Sequence, residues 1–299
     1  MFDVIIIVDW SANATPKRGP DSIWTYELDR SATPHPPMNH PTRHATRGHL
    51  AERLQAHSGR RVLLGFDFAF GYPSSFAAQA GLDGATAWWA TWTHLAATVV
   101  DDDRNRNNRW TVAADLNARL GRLQFWGVPA ARRSQWLTTT KPPLELPEHR
   151  ETERTLRSAA NTRPFSVWQL LGAGAVGSQT LTGIPVLHHL RTHPALADRV
   201  RVWPFETGFT TDPCAGHADA VIVAEVWPSA VSCAHLREAT KDACQVRALA
   251  EHFAQADVDG CLAAAFDPAV DTGARAAVLG EEGWVLHCDS TEPASSTRS

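Results

Sequence analysis

The stretch VIIIVDWSAN, residues 4–13, decides how the rest of the chain is read. Five consecutive β-branched residues run straight into an aspartate. Such side chains favour extended backbone, and an apolar run without alternation belongs to a strand covered on both faces. Asp9 therefore closes a buried strand, and Ser11, Ala12 and Asn13 begin a turn. A carboxylate there either caps the turn locally or points from the sheet edge toward a positive charge.

The same grammar recurs downstream. RVLLGFDFAFGYP, residues 61–73, is a second buried strand with Asp67 near its end. RVRVWPFETG (199–208) and AVIVAEVWPS (220–229) read as two more, carrying Glu206 and Glu225. SIWTYEL (22–28) pairs after the first turn, and GHLAERLQAHSG (48–59) is a short helix with a glycine stop. TPHPPMNHPTRH (33–44) is proline-rich and reads as a loop, so His35, His40 and His44 within it are loop residues rather than a metal set. Residues 74–165 are helical in pattern and tryptophan-rich, with no convincing strand. The chain closes with the helical stretches KDACQVRALAEHFAQA and DGCLAAAF and a polar tail. This order predicts an α/β domain formed by 1–73 and 166–287, a helical cap inserted as 74–165, and a disordered tail over 288–299.

Bulk properties narrow the class. A length of 299 residues, 43% hydrophobic and 20% charged, is ordinary for a soluble globular protein with a sizeable core. No apolar run approaches the roughly 18 residues of a membrane span, and the N-terminal apolar stretch lacks the basic flank of a signal peptide. The five cysteines form no CxxC pair, which points to reduced thiols, the cytoplasm and no zinc site. Residues 104–163 carry 12 basic and 5 acidic side chains, a net of +7, whereas the whole chain is −4. A basic segment joined to an acidic one suits an anionic substrate held between them, the alternative being a solvated helical surface.

Core strands avoid anions, because an unpaired buried carboxylate costs several kcal/mol or stays protonated. One such acid is a cap. Four of them, Asp9, Asp67, Glu206 and Glu225, are more economically explained by a shared counter-charge such as Mg²⁺ or Mn²⁺. ADVDGCLAAAF adds Asp257 and Asp259 at a helix start, where a plain N-cap is the competing explanation and Asp259 has the stronger claim.

Strand-end Asp9, strand-borne Asp67 and the closing D-x-D-G-C-L-A-A-A resemble the RNase H-like superfamily, in particular its Holliday-junction-resolvase-type branch. VDWSAN, GFDFAFGYP, RETER (150–154), WQLLGAGAVGSQTLTGIP, VWPFET, AEVWPS, KDACQVRALA and EEGW look like an uncharacterised bacterial family of that fold, whose members are often labelled cobalamin- or molybdopterin-biosynthesis proteins. The resemblance covers most of residues 1–287. It implies an RNase H-like mixed sheet flanked by helices, and carboxylates from the first strand, a later strand and a C-terminal helix holding two metal ions. Carried onto this chain, Asp9 bridges both ions, Asp67 and Asp259 each complete one, and Glu225 is the possible fourth ligand. Lys241, Asp242, Arg150 and Arg154 are then assigned to the substrate, the arginines gripping phosphate oxygens.

The expected activity is metal-dependent phosphoryl transfer, most simply phosphodiester hydrolysis. The substrate is a nucleic acid, a nucleotide or a small phosphorylated metabolite, although a pI near 6.4 and the lack of a long basic stripe weigh against nucleic acid. A ligand-binding protein that has lost the chemistry, or an ATP-dependent biosynthetic enzyme, are the alternatives from other classes. Gly172, Gly174 and Gly177 spell a literal GxGxxG, but Gly183 and Pro185 should break the following helix after about two turns, which disfavours a dinucleotide site. A glycine-rich helix over 166–180, or a loop that grips phosphate, remain the readings of that stretch.

Overall fold

The computed structural model describes residues 1–160, 164–172 and 175–287, with only the backbone described for 157–160. The β-branched run forms β1 (Val4–Asp9), buried through Val8 and only partly so at Asp9. It is followed by β2 (Ile23–Asp29), β3 (Met38–His40), β4 (Val62–Phe66), β5 (Val200–Val202), β6 (Val221–Val226) and β7 (Val285–Leu286). These make one mixed sheet in the order β3-β2-β1-β4-β6-β5, with β7 also paired to β6. β2 runs antiparallel to both β1 and β3, while β1, β4, β6, β5 and β7 are mutually parallel. Register places Val8 beside Phe66 and Phe66 beside Glu225, so the C-terminal ends of β1, β4 and β6 lie next to one another.

Alternate residues of each parallel strand feed two apolar layers. Val4, Ile6, Val8, Leu64 and Phe66 join one; Ile5, Ile7, Leu63, Ile222 and Ala224 join the other. The first layer is covered by α1 (Arg43–Ala56), α2 (Phe76–Gln79), α3 (Ala87–Thr98), α4 (Arg109–Leu120) and α6 (Gly177–Thr192), with α5 (Glu151–Ala160) between them in sequence. The second is covered by α7 (Lys241–Val258) and the short α8 (Cys261–Ala265). After α9 (Thr272–Ala277) comes a π-helical turn, Val278–Glu282. Trp92, Val112, Leu116 and Phe125 share one cluster with the sheet residues, so the helices of 74–165 form a layer on the sheet.

α7 lies antiparallel to β1. Its first turn meets the loop after β1, where the Asp242 carboxylate accepts a hydrogen bond from the Asp21 amide at 2.7 Å. Its last turn meets the start of β1, where Asp257 takes the Met1 ammonium at 2.9 Å and Arg30 at 2.7 Å. Two further acids work as caps at long range: Glu281 accepts from the amides of Ser75 and Ala77, and Glu282 from those of Ser74 and Glu151. A Cβ on Gly71 would lie 2.0 Å from the Glu281 carbonyl oxygen, so the EEGW segment packs directly on GFDFAFGYP.

Several expectations need correction. The segment 33–44 is not all loop: Met38–His40 pairs as an edge strand, where flanking prolines cost nothing, and buried His40 contacts Thr25 Oγ1 at 2.9 Å. α1 starts at Arg43, capped by Thr42, rather than near residue 48. The strand at 199–208 stops at Val202, and Glu206 lies in the following turn, accepting from the Val202 amide and paired with Arg191 at 2.9 Å. The helix expected over 166–180 begins only at Gly177 and runs unbroken through Gly183 and Pro185 to Thr192. Gly183 serves close packing, since a Cβ there would sit 2.3 Å from the Phe68 ring. Gly174 and the tail at 288–299 lie outside the described residues.

Candidate functional site: an acidic cleft with one unpaired arginine

β1 and β4 end side by side, and that brings Asp9 and Asp67 into direct side-chain contact. The Trp10 amide donates to Asp67 at 2.7 Å, fixing one carboxylate while the other faces the same cavity. Asp242 joins them from the first turn of α7, and Asp21 from the β1–β2 loop. Burial, then the neighbouring Asp67 and Asp242 charges, hold Asp9 well above the usual carboxylate range. Burial likewise pushes Asp67 up to about 7, against the Trp10 hydrogen bond that lowers it. Like charges this close repel, so without a counter-charge the pair favours holding a proton.

The rim is firmly built. Arg43, 1% exposed, is clamped by Asp101 and donates to the Ser11 and Asn13 carbonyls, which holds the loop after β1 in place. Asp21 adopts φ 53°, an uncommon backbone for a residue with a Cβ, and its carbonyl is tied by Ser11 and Asn13. From the other side come Ala175, Val176, Ser178 and Gln179 at the start of α6. Gly177 sits against the Val167 and Gln169 carbonyls, where a Cβ would meet oxygen at 2.4 Å; it lets the helix start approach this wall. The cavity so enclosed is about 500 Å³.

Among the described residues one cation reaches it. Arg109, at the start of α4, is buried; its Nε donates to Ser178 Oγ at 3.0 Å and its Nη1 to Asn107 at 2.8 Å, with Trp110 stacked 4.2 Å away. No carboxylate lies within ion-pair distance, and Nη2 has no hydrogen-bond partner among the described residues. Burial and nearby Arg43 lower its pKa to about 10. A buried guanidinium without a carboxylate is costly, so this one is poised for an anion from outside the chain.

The structure brings together only part of the set read from sequence. Asp9, Asp67 and Asp242 converge; Asp242 was assigned to the substrate and instead stands where Asp259 was expected. Asp259 is the exposed C-cap of α7, bonded to Gln255, and the 18-residue helix separates it from Asp242 by about 25 Å. Glu225 is buried and bound bidentately by Arg150 at 2.8 and 2.6 Å, with a further hydrogen bond from the Phe70 amide. Arg150 is itself 1% exposed and also held by Glu153, so it has no donor facing a substrate. Arg154 pairs with Glu151 at 2.5 Å on the surface, and Lys241 is exposed and does not line the cavity. Arg109 was missed as an individual; the signal available was the +7 segment to which it belongs.

A second acidic group has ligand-like geometry. Glu27, Asp29 and His57 place donor atoms within 4.8 Å of one another. Arg53 already binds Glu27 at 2.7 Å and Arg60 binds Asp29 at 2.6 Å, and both carboxyls are held below their usual range. Each anion has its cation, so this is a salt-bridge network. The larger cavity nearby, about 600 Å³ at the open edge of β2, is lined mostly by apolar side chains such as Tyr26, Leu28, Pro34 and Met38. No protein-family model, curated protein or solved structure matches this chain. Among the described residues no helix is long and apolar enough to cross a membrane.

Proposed function

We propose that the chain is an RNase H-like protein that catalyses metal-dependent phosphoryl transfer, most simply hydrolysis of a phosphate ester. The observation that carries this reading is the Asp9–Asp67 contact at the ends of adjacent parallel strands, with Asp242 beside it and unpaired Arg109 in the same cavity. Oxygen donors without an arginine or lysine partner suit a hard divalent cation, so Asp9, Asp67 and Asp242 would hold Mg²⁺ or Mn²⁺. When bound, the ion supplies Lewis-acid polarisation of a phosphoryl oxygen and activation of water. The fold assignment draws support from the mixed sheet and from carboxylates on the first strand, a later strand and a C-terminal helix, with Asp242 as the helix acid.

The chain's own groups have distinct tasks. Trp10 and Asp21 amides orient Asp67 and Asp242 before any ligand arrives. Arg109, locked by Ser178 and Asn107, presents its free Nη2 to a phosphate oxygen and offsets charge that grows there as the ester bond breaks. The positive start of α6, on the same wall, adds its dipole.

Calorimetric titration with Mn²⁺ tests the reading, together with a screen of phosphomonoesters and diesters. Wild type should bind the ion and hydrolyse at least one ester, while Asp9→Asn and Asp67→Asn should lose both. Equal Mn²⁺ affinity in wild type and Asp67→Asn would overturn it.

A further inference from the structure

The cleft does not end at the carboxylates. Past Asp67 it opens into a second cavity of about 160 Å³ that shares Asp67, Phe165, Val176, Trp227 and Ser229 with the first. Its walls are Leu156, Pro164, Phe165, Val176, Val226 and Trp227, and the charged groups at its edge, Arg150, Glu153 and Glu225, are ion-paired with one another. A cavity of about 150 Å³ with apolar walls holds one benzene ring. Phe165 is 48% exposed and Leu171 47%, two of the five exposed large hydrophobic side chains among the described residues, and both line this cleft. Exposed apolar side chains gathered at a concave site, rather than scattered, mark a surface that awaits an apolar ligand.

We infer that the substrate is a small phosphate ester carrying one compact, ring-sized apolar or aromatic group, which enters the annex walled by Phe165 and Trp227 while its phosphate meets Arg109 and the carboxylate cluster. This deepens the proposed function and rests on it. The charge pattern argues for a small ester over a nucleic-acid strand. Tracking a polymer takes a row of cations, whereas among the described residues the cleft-lining arginines are Arg109, which is unpaired, and Arg150, which is spent on Glu153 and Glu225. Among the described residues the cleft offers one phosphate position and one apolar position.

The test is calorimetric binding of phenyl phosphate, glycerol phosphate, inorganic phosphate and a short single-stranded oligonucleotide, with Ca²⁺ replacing Mg²⁺ to slow turnover. Phenyl phosphate should bind about tenfold more tightly than glycerol phosphate, the gain expected from burying one ring. Phe165→Ala, at a site half open to solvent, should erase most of that preference and leave inorganic phosphate binding within about twofold. Trp227→Ala should act in the same direction. Equal affinity for phenyl and glycerol phosphates overturns the annex while phosphoryl transfer stands. An oligonucleotide that binds tighter than phenyl phosphate and ignores Phe165→Ala also overturns it. If none of the phosphates binds the folded wild type, the proposed function itself fails.

Discussion

β4 and β6 are neighbours in register, and each delivers an acid to the same edge of the sheet: Asp67 one residue past Phe66, and Glu225 directly beside Phe66. Their surroundings differ completely. Glu225 has a bidentate arginine and the Phe70 amide, and Arg150 offsets much of the cost that burial imposes on it. Asp67 has the Trp10 amide and another carboxylate. Both acids violate the rule that strands bury apolar residues, yet one violation is repaired inside the chain and the other is left open. An acid in a buried strand is therefore only half a signal, and the other half is whether the fold supplies its cation.

The largest expected effect breaks the repaired side. Arg150→Met leaves Glu225 and Glu153 buried without their guanidinium and should cost about 3–5 kcal/mol, read from urea unfolding. A loss under about 1 kcal/mol would mean that Glu225 is no better compensated than Asp67. The open side should respond in the opposite sense. Folded-state values for Asp9 and Asp67 lie above their unfolded ones, so the metal-free protein binds the extra proton more tightly when folded. Its stability should fall as pH rises from about 4 through about 7, by at most ~1.4 kcal/mol per pH unit for one shared proton. Asp67→Asn should flatten that window, and millimolar Mg²⁺ should restore stability to wild type alone; an unchanged slope in the variant would locate the titration elsewhere.

A smaller effect should come from Arg109. Arg109→Gln should weaken inorganic phosphate binding by about tenfold in the presence of the divalent ion, the loss of one charge-assisted hydrogen bond. Mn²⁺ affinity should stay within about twofold, which separates the anion side of the cleft from the carboxylate side. The smallest changes belong to residues outside the comparison. Asp259→Ala and Arg154→Ala should each shift stability by under about 0.5 kcal/mol and leave Mn²⁺ titration unaltered.

The sheet centre was legible because β1, β4 and β6 are short apolar runs, β-branched-rich in β1 and β6 and interrupted only by an acid at or near the end of those two, that admit no helical period. β3 was not, since three residues between prolines carry too little pattern, and its pairing is supplied by β2. α6 was misread because Gly183 and Pro185 are breakers only for a helix that lacks tertiary support; this one is buried on most sides and needs Gly183 for Phe68. Within the site, Asp9 and Asp67 stood out by their strand context. Asp242 looked like one more first-turn acid, and only the antiparallel placement of α7 on β1 brings it to Asp9. The arginines show the sharpest limit. Arg109 and Arg150 are alike as letters in a basic segment, and what separates them is a partner 75 residues away in the chain.

The caps supplied by Glu281 and Glu282 also set an order of assembly. The amides of Ser74, Ser75 and Ala77 wait for carboxylates 204–208 residues further along, and that of Glu151 for one 131 residues on. A ribosome has synthesised all of α2 through α7 before either glutamate exists as a residue. Until then the starts of α2 and α5 have water for a cap, and Gly71 lacks the backbone it packs against. Closing loops of that length is entropically expensive, and the contacts that reward it come last. The layer of helices over the sheet is thus sealed late, and the turn at Val278–Glu282 acts as the latch for helices made more than a hundred residues earlier.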